Sequence, residues 1–208
     1  MTSSAGTGQA HWDSVYAAKK VEDVSWFQVR PVLSLGLIAR TGKAKGSSII
    51  DVGGGASRLV DALLDEGFQW VTVLDISVEA LARARERLGD RARLVTWIAG
   101  DITRWEPPAN YDVWHDRAVF HFLISPEDRR AYKEALAGAL PLGAQAIIGT
   151  FASDGPERCS GLPVARYEPD TLAAELGPGF RLVEGTHEDH VTPGGKVQRF
   201  QFSRFVRA

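Results

Sequence analysis

The sequence predicts an α/β protein with a mainly parallel β-sheet, and three observations support that class. Segments rich in β-branched residues alternate with segments of helix-forming residues. A run of glycines directly follows the first apolar segment, and two strand-like segments joined by a turn end the chain. Because the chain has 208 residues, of which 44% are hydrophobic, we expect one domain with a sizeable core.

Hydrophobic periodicity and helix caps predict the individual elements. The predicted parallel strands are 47–52, 69–74, 93–99, 111–115 and 144–151. The predicted helices are 57–66, 78–88, 126–140 and 171–176. The last two strands, 180–191 and 197–206, are joined by Thr192-Pro193-Gly194-Gly195, so we expect an antiparallel hairpin to close the sheet.

Composition and charge exclude several classes of protein. The net charge of -2 argues against a large basic surface, so no nucleic-acid partner is expected. No apolar stretch approaches the roughly 20 residues that cross a bilayer, and the first ten residues lack the pattern of a signal peptide. We therefore expect a cytoplasmic protein without membrane contact. No oligomeric state is predicted.

The same inspection sets the expected domain boundaries. Residues 1–10 are expected to form a disordered leader, and residues 11–208 a single domain. The one cysteine, Cys159, allows no intrachain disulfide and argues against structural zinc, so no metal site is predicted.

The most informative segment is the end of the first predicted strand. The strand stops at Asp51, and Gly53, Gly54 and Gly55 follow, so the backbone can turn sharply against a ligand in front of a helix N-terminus. A dinucleotide-binding fingerprint needs a third glycine at position 58, which is Arg58 here. A carboxylate beside the turn would repel a pyrophosphate and attract a cation. A nucleotide-like cofactor with a cationic group is therefore predicted.

The pattern Asp51-x-Gly53-x-Gly55 resembles motif I of the class I S-adenosylmethionine-dependent methyltransferases. That resemblance implies S-adenosyl-L-methionine as the cofactor. It also implies a Rossmann-like, doubly wound, seven-stranded sheet that is mainly parallel and ends in a C-terminal antiparallel hairpin. Asp51, Gly53, Gly54 and Gly55 would then contact the methionine end of the cofactor.

Two further strand ends fit the same resemblance. Asp75 follows the second strand, where a carboxylate accepts hydrogen bonds from ribose hydroxyls, and Ile76 lies beside it. Asp101 follows the third strand as part of a Gly-Asp pair, and would accept from the adenine amino group while Ile102 covers the ring. Each acidic residue alone is equally consistent with a turn or a helix cap; the three together favour the methyltransferase class.

The segment after the fourth strand resembles the thiopurine S-methyltransferase group. It contains His115-Asp116-Arg117-Ala118, where that group has W-D-R-G, and then Ser125-Pro126-Glu127-Asp128-Arg129, where the group has N-P-x-D-R. His115 and Ala118 depart from the group's pattern. The same position also resembles the D-K-G-T of elongation-factor lysine methyltransferases. Trp12-Asp13 and Trp26-Phe27-Gln28 resemble the group's N-terminal cap, expected here over residues 11–46.

The candidate catalytic residues are Asp116, Arg117 and His115. Arg117 would hold an anionic nucleophile or a substrate carboxylate, or else form a structural ion pair. Asp116 would position Arg117 or the cofactor, or else cap the following helix. His115 is a candidate base, as is His121, and both are equally interpretable as structural histidines.

Three more residues have two interpretations each. Trp26, with Gln28 beside it, would close over the sulfonium or simply pack in the core. Tyr16 is a weaker candidate for the same cap. Cys159 would touch a soft substrate or be a packed thiol without a role.

The predicted function is S-adenosylmethionine-dependent methylation of a small molecule at a thiol or another soft nucleophile. A protein lysine N-methyltransferase is the first alternative, and an open acidic groove beside Asp116 would favour it. A non-catalytic binding module is the second, and a blocked pocket would favour it. A closed apolar pocket under the N-terminal segment would favour the small molecule.

Overall fold

The strands of the computed structural model, which describes residues 4–208 and their side chains from residue 8, form two sheets. The strands are β1 (Ser48–Val52), β2 (Trp70–Asp75), β3 (Val95–Ala99), β4 (Val113–Arg117), β5 (Gln145–Phe151), β6 (Arg158–Cys159), β7 (Leu162–Pro163), β8 (Phe180–Val191) and β9 (Val197–Arg207). The main sheet has seven strands in the order β3-β2-β1-β4-β5-β9-β8, and β6 pairs with β7 in a small separate hairpin.

The helices cover the main sheet on both faces. They are α1 (Ser4–Ala18), α2 (Val32–Arg40), α3 (Leu59–Asp65), α4 (Val78–Leu88), α5 (Pro126–Ala139) and α6 (Pro169–Leu176). Apolar side chains of α2, α3 and α4 share one core cluster with Ile49, whereas α5 and α6 share the other with Ile50. Adjacent residues of β1 therefore point to opposite cores, as strand geometry requires.

Local sequence signals explain where the helices begin and end. Ser77 accepts a hydrogen bond from Ala80 N at 3.1 Å and caps α4, which ends at Gly89 with a positive φ of 55°. Ser125 caps α5 in the same way, and Pro126 occupies its first turn. These caps fix the helices that follow β2 and β4.

The sheet topology brings four strand ends to one edge. β1 pairs in parallel with β2 and β4, β2 with β3, and β4 with β5, whereas β9 runs antiparallel to both β5 and β8. The carboxyl ends of β1 to β4 therefore lie side by side. In open α/β sheets that edge is where ligands bind.

The predicted fold class is confirmed, including the seven strands and the closing hairpin. The predicted bounds of α4 and β8 agree with the structure, and the other elements shift by one or two residues. The chain pattern did not predict α1, α2 or the β6–β7 hairpin. The helices of the described residues include none that is long and apolar enough to cross a membrane.

The N-terminal segment differs from the expectation of a disordered leader over residues 1–10. Residues 1–3 lie outside the described residues, and α1 begins at Ser4. A Cβ on Gly8 would lie only 3.4 Å from Ile76, and Trp12 packs edge-to-face on Trp26, so this helix is held by contacts. α2, inside the expected cap of residues 11–46, belongs instead to the core layer, because Leu37 and Ile38 are buried there.

Candidate active site

The glycine turn after β1 leaves room for two carboxylates. Gly53 has a left-handed φ of 68°, and a Cβ there would lie 2.0 Å from Val119. A Cβ on Gly54 would lie 2.5 Å from Asp51 Oδ2, and one on Gly55 would lie 2.6 Å from Asp75 Oδ2. The turn needs glycine because these side chains lie against its backbone.

Asp51 is oriented by a buried chain of hydrogen bonds. Its Oδ1 lies 2.7 Å from His115 Nδ1, and His115 Nε2 lies 2.9 Å from Ser34 Oγ. All three residues are buried. Since both ring nitrogens are engaged, His115 is placed to hold Asp51 and not to take a proton from a substrate.

A small cavity beside this chain contains two unpartnered groups of opposite charge. Asp51 Oδ2 and Arg58 Nε are buried and have no hydrogen-bond partner among the described residues, and both residues line the cavity, which holds about 50 Å³. Arg58 Nη2 lies 3.6 Å from Glu22. A carboxylate and a guanidinium in one cavity match the ammonium and carboxylate of an amino acid. Sequence reasoning treated Arg58 only as a departure from the dinucleotide fingerprint; its charge beside a glycine turn was the available signal.

A larger cavity of about 170 Å³, partly open to solvent, lies along the ends of β1 to β4. Its lining includes these predicted cofactor and catalytic residues: Trp26, Gly53, Asp75, Ile76, Asp101, Ile102 and Arg117. Gly55 and Asp116 line neither cavity, and Gly54 lines only the smaller one. The structure thus brings most of the predicted site together.

Asp75 and Asp101 end neighbouring strands within the larger cavity. Asp75 Oδ1 accepts from Ser77 N at 2.8 Å, and burial raises the pKa of this carboxyl to about 7. Asp101 Oδ1 accepts from Thr103 N and from its hydroxyl, at 2.9 and 2.8 Å. Ile102, which is buried, lines the same end of the cavity. Two carboxylates and an apolar side chain suit a ribose and a flat base.

Aromatic side chains from the N-terminal segment cover this cavity. Trp12 packs edge-to-face against Trp26 and Phe122, with ring centroids 5.8 and 5.1 Å apart. Tyr16 packs against Trp26 at 6.1 Å. All four residues line the larger cavity, so they form an apolar roof, hereafter the aromatic roof.

Asp116 has the alternative role of a cap. Its carboxylate accepts from Val119 N at 2.8 Å, from Phe120 N at 3.1 Å and from the Tyr132 hydroxyl at 2.7 Å. Burial raises its pKa to about 6, although these donors oppose the shift. Asp116 therefore fixes the turn after β4, and its oxygens face Tyr132 and the backbone.

Arg117 is the predicted catalytic residue that does face the larger cavity. Its Nη1 donates to Trp26 O at 2.7 Å, and its guanidinium carbon lies 4.8 Å from the centroid of Phe200. Nε and Nη2 have no hydrogen-bond partner among the described residues. Burial lowers the pKa of Arg117 to about 10, which leaves it charged near neutral pH.

The remaining titratable candidates are less suited to acid–base work. Cys159 lines the larger cavity, but burial raises the pKa of its thiol to about 11, so it stays neutral. Burial, and then the charge of Arg117, lower the pKa of His121 to about 3. His121 packs between Phe122 and Phe151 and lines neither cavity. The contacts of His121 match its structural interpretation.

Comparison with known proteins finds similarity to methyltransferases over part of the chain. Residues 49–143 match the model of a family described as a methyltransferase domain. A trans-aconitate 2-methyltransferase of Afipia carboxidovorans is 31% identical over 108 residues, which cover 51% of this chain and 40% of that protein. An eEF1A lysine and N-terminal methyltransferase of Bos taurus is 22% identical over 125 residues, which cover 60% of this chain and 18% of that protein. The chain thus matches half or less of the length of these curated relatives.

Solved structures share the fold over nearly the whole chain. One of them is the structure described under conversion of a disulfide bond into a thioacetal group during echinomycin biosynthesis. It superposes with a TM-score of 0.73 at 23% sequence identity, and the match covers 96% of this chain and 92% of that one. A glycopeptide N-methyltransferase complexed with S-adenosyl-L-methionine superposes with a TM-score of 0.66 at 19% identity, over 85% and 93% of the chains. The chain therefore resembles methyltransferases in sequence over residues 49–143, and it shares its fold with the solved structures over most of its length.

Proposed function

We propose that the protein transfers the methyl group of S-adenosylmethionine to a small molecule held in the larger cavity. The observation that carries the proposal is the geometry of that cavity. It has the predicted cofactor carboxylates, Asp75 and Asp101, at the ends of β2 and β3, and Arg117 at the end of β4, all under the aromatic roof. A non-catalytic module is disfavoured, because the cavity is open and its carboxylates are intact.

The cofactor would span both cavities. We assign the adenine to Asp101 and Ile102, and the ribose hydroxyls to Asp75. The methionine end would enter the smaller cavity, with its ammonium on Asp51 Oδ2 and its carboxylate on Arg58. One buried atom of each group, Asp51 Oδ2 and Arg58 Nε, has no hydrogen-bond partner among the described residues, and such atoms are rare in unliganded parts of a protein, which supports this assignment.

The N-terminal segment would act as the cap of the site. Trp12 and Trp26 belong to residues that precede β1, yet both line the larger cavity. Asp13 Oδ1 accepts from Ser77 Oγ at 2.6 Å and so anchors α1 beside the end of β2. We assign this cap to α1 and to the segment around Trp26, without α2.

The acceptor atom would be one that is already anionic or soft. S-adenosylmethionine, when bound, supplies a methyl group activated by positive sulfur. The titratable residues of the described cavity lining are Tyr16, Asp75, Asp101, Arg117 and Cys159. None of them is a free base at the end of β4, so a thiolate, which forms near neutral pH without help, is the nucleophile that we favour. Arg117 would orient the acceptor, and close approach to the methyl group would supply most of the rate.

A carboxylate acceptor is the second candidate. The similarity to the trans-aconitate 2-methyltransferase favours it, as does the free edge of Arg117. Lysine methylation has the weaker support. The similarity to the eEF1A methyltransferase covers 18% of that protein, and the cavity is lined mainly by apolar side chains, whereas a lysine substrate would favour an acidic groove.

A transfer screen tests this function. The protein is incubated with methyl-labelled S-adenosylmethionine and panels of small thiols, carboxylic acids, amines and phenols, and with a lysine-containing protein mixture. Product masses are then measured. We expect label on a small thiol or carboxylic acid. Label that appears only on protein lysine would contradict the proposal, as would the absence of transfer to any small molecule.

A further inference from the structure

The β9 side of the larger cavity contains a charged group, Arg117, of which one edge has no hydrogen-bond partner among the described residues. Arg117 Nη1 is bound by Trp26 O at 2.7 Å, whereas Nε and Nη2 have no hydrogen-bond partner among the described residues. These two nitrogens form one edge of the planar guanidinium. That edge carries parallel N–H groups at the spacing of two carboxylate oxygens.

The position of this edge separates it from the two carboxylates that we assign to the ribose and the adenine. Along the sheet, β2 and β3 supply Asp75 and Asp101, while β4 supplies Arg117 and β9 supplies Phe200. In the order β3-β2-β1-β4-β5-β9, the arginine and the phenylalanine therefore lie on the far side of β1 from the two carboxylates. Arg117 lines the smaller cavity as well, so its free edge lies between the acceptor space and the methionine end of the cofactor.

The guanidinium is also held rigidly. It lies against the Phe200 ring at 4.8 Å, and the Trp26 carbonyl fixes its orientation from the side of the aromatic roof. Its side chain is only 12% exposed. Because the guanidinium is already fixed and poorly hydrated, it loses little conformational entropy when it binds an anion.

Glu188 places a negative charge near Arg117 but forms no hydrogen bond with its free edge. Its Oε1 accepts from Gln28 Nε2 at 3.0 Å, which holds the side chain in place. Its Oε2 lies 3.9 Å from Arg117 Nη2, beyond hydrogen-bond distance, and has no partner among the described residues. Glu188 thus partly balances the buried cation and, as a like charge, would oppose an incoming carboxylate.

We propose that the Nε–Nη2 edge of Arg117, with Glu188 as an opposing charge, is a recognition subsite for a carboxylate on the acceptor. The subsite rests on the proposed function and sharpens it. Acceptors are small carboxylic acids whose carboxylate binds Arg117 side-on, while their apolar part lies under the aromatic roof. Neutral analogues of the same shape are rejected, because they leave the two N–H groups buried and unpaired.

Calorimetric titration with matched probes tests the subsite. Benzoate, benzamide and benzyl alcohol are titrated into the protein, both with saturating S-adenosylhomocysteine and without it. We expect benzoate to bind at least tenfold more tightly than either neutral probe. Arg117→Gln should remove that preference while S-adenosylhomocysteine still binds. Glu188→Gln should strengthen benzoate binding by roughly fivefold, because it removes a like charge near the anion.

Arg91→Gln is the matched control. It removes the same charge from a surface ion pair with Asp65, at 2.7 Å, and should change neither titration. Equal binding of benzoate and benzamide would overturn the subsite, and so would a failure of all three probes to bind. Weaker benzoate binding by Glu188→Gln would overturn it as well. If the unaltered protein does not bind S-adenosylhomocysteine at all, the proposed function is refuted. A separate titration with S-adenosylhomocysteine alone measures this.

Discussion

Gly54→Ala should weaken cofactor binding through a clash with one carboxylate. The added Cβ would lie 2.5 Å from Asp51 Oδ2 and 2.8 Å from Val73 Cγ1. Gly54 is not among the glycines with positive φ, so alanine brings no backbone strain there. The perturbation is therefore steric, and it acts on the oxygen to which we assign the cofactor ammonium.

The structure sets the size of the effect. A carbon–oxygen contact of 2.5 Å is well inside the usual contact distance, so Asp51 must move. Movement of its carboxylate strains the 2.7 Å bond to His115, because both side chains are buried. Overpacking of this kind costs about 1–3 kcal/mol. If that cost falls on the bound state, affinity for S-adenosylhomocysteine drops by roughly 5- to 150-fold.

Calorimetry with S-adenosylhomocysteine measures the loss, and a double-mutant cycle assigns its cause. In an Asp51→Ala background only the contact with Val73 remains, so Gly54→Ala should cost less binding free energy there than in the unaltered protein. Gly46→Ala is the control, since a Cβ there meets nothing within 4 Å. A Gly54→Ala protein that binds the ligand within twofold of the unaltered protein would refute the reasoning, as would equal losses in both backgrounds.

Three other predictions concern single groups of the site. Arg58→Gln should weaken S-adenosylhomocysteine binding about tenfold but leave adenosine binding unchanged, because only the former has an amino-acid end; equal calorimetric losses for both ligands would contradict the assignment. The raised pKa of Asp75, about 7 in the unliganded protein, means that its acceptor form is lost as pH falls. The dissociation constant for S-adenosylhomocysteine should then rise about tenfold per pH unit below that pKa, since one proton must be released on binding; a flat profile between pH values of about 6 and 8 would contradict it. Asp116→Asn should lower the free energy of unfolding by about 1–3 kcal/mol, because the Asp116 carboxylate accepts three hydrogen bonds. Cofactor affinity of the folded protein should stay within about twofold. A loss confined to cofactor binding would instead support a catalytic role for Asp116.

Much of the fold could be predicted from the sequence, because most elements have local sequence signals such as helix caps and hydrophobic periodicity. α4 has Ser77 as its cap and Gly89 beyond its end, and its bounds were predicted without error. α1 lacks such signals: it has no acidic residue in its first turn and no basic residue in its last. It is held by tertiary contacts such as Asp13 with Ser77, which no local pattern reports.

The clustering of the three carboxylates was predictable for a related reason. Parallel strands end at one edge, so Asp51, Asp75 and Asp101 had to lie near each other once the strands were assigned. The roles of His115 and Asp116 were not predictable, because they depend on partners far along the chain. Asp116 faces Tyr132 and His115 faces Ser34, as the alternation of side chains along β4 dictates.

The central claim is that one chain binds S-adenosylmethionine across two adjoining cavities. Titration of the unaltered protein with S-adenosylhomocysteine, followed by titration with adenosine, tests it most directly. We predict saturable binding of S-adenosylhomocysteine at one site per chain, and adenosine binding that is weaker by at least about tenfold, because adenosine leaves the Asp51 and Arg58 groups unpaired. Absence of S-adenosylhomocysteine binding at millimolar concentration would contradict the claim, and equal affinities for the two ligands would contradict the assignment of the smaller cavity.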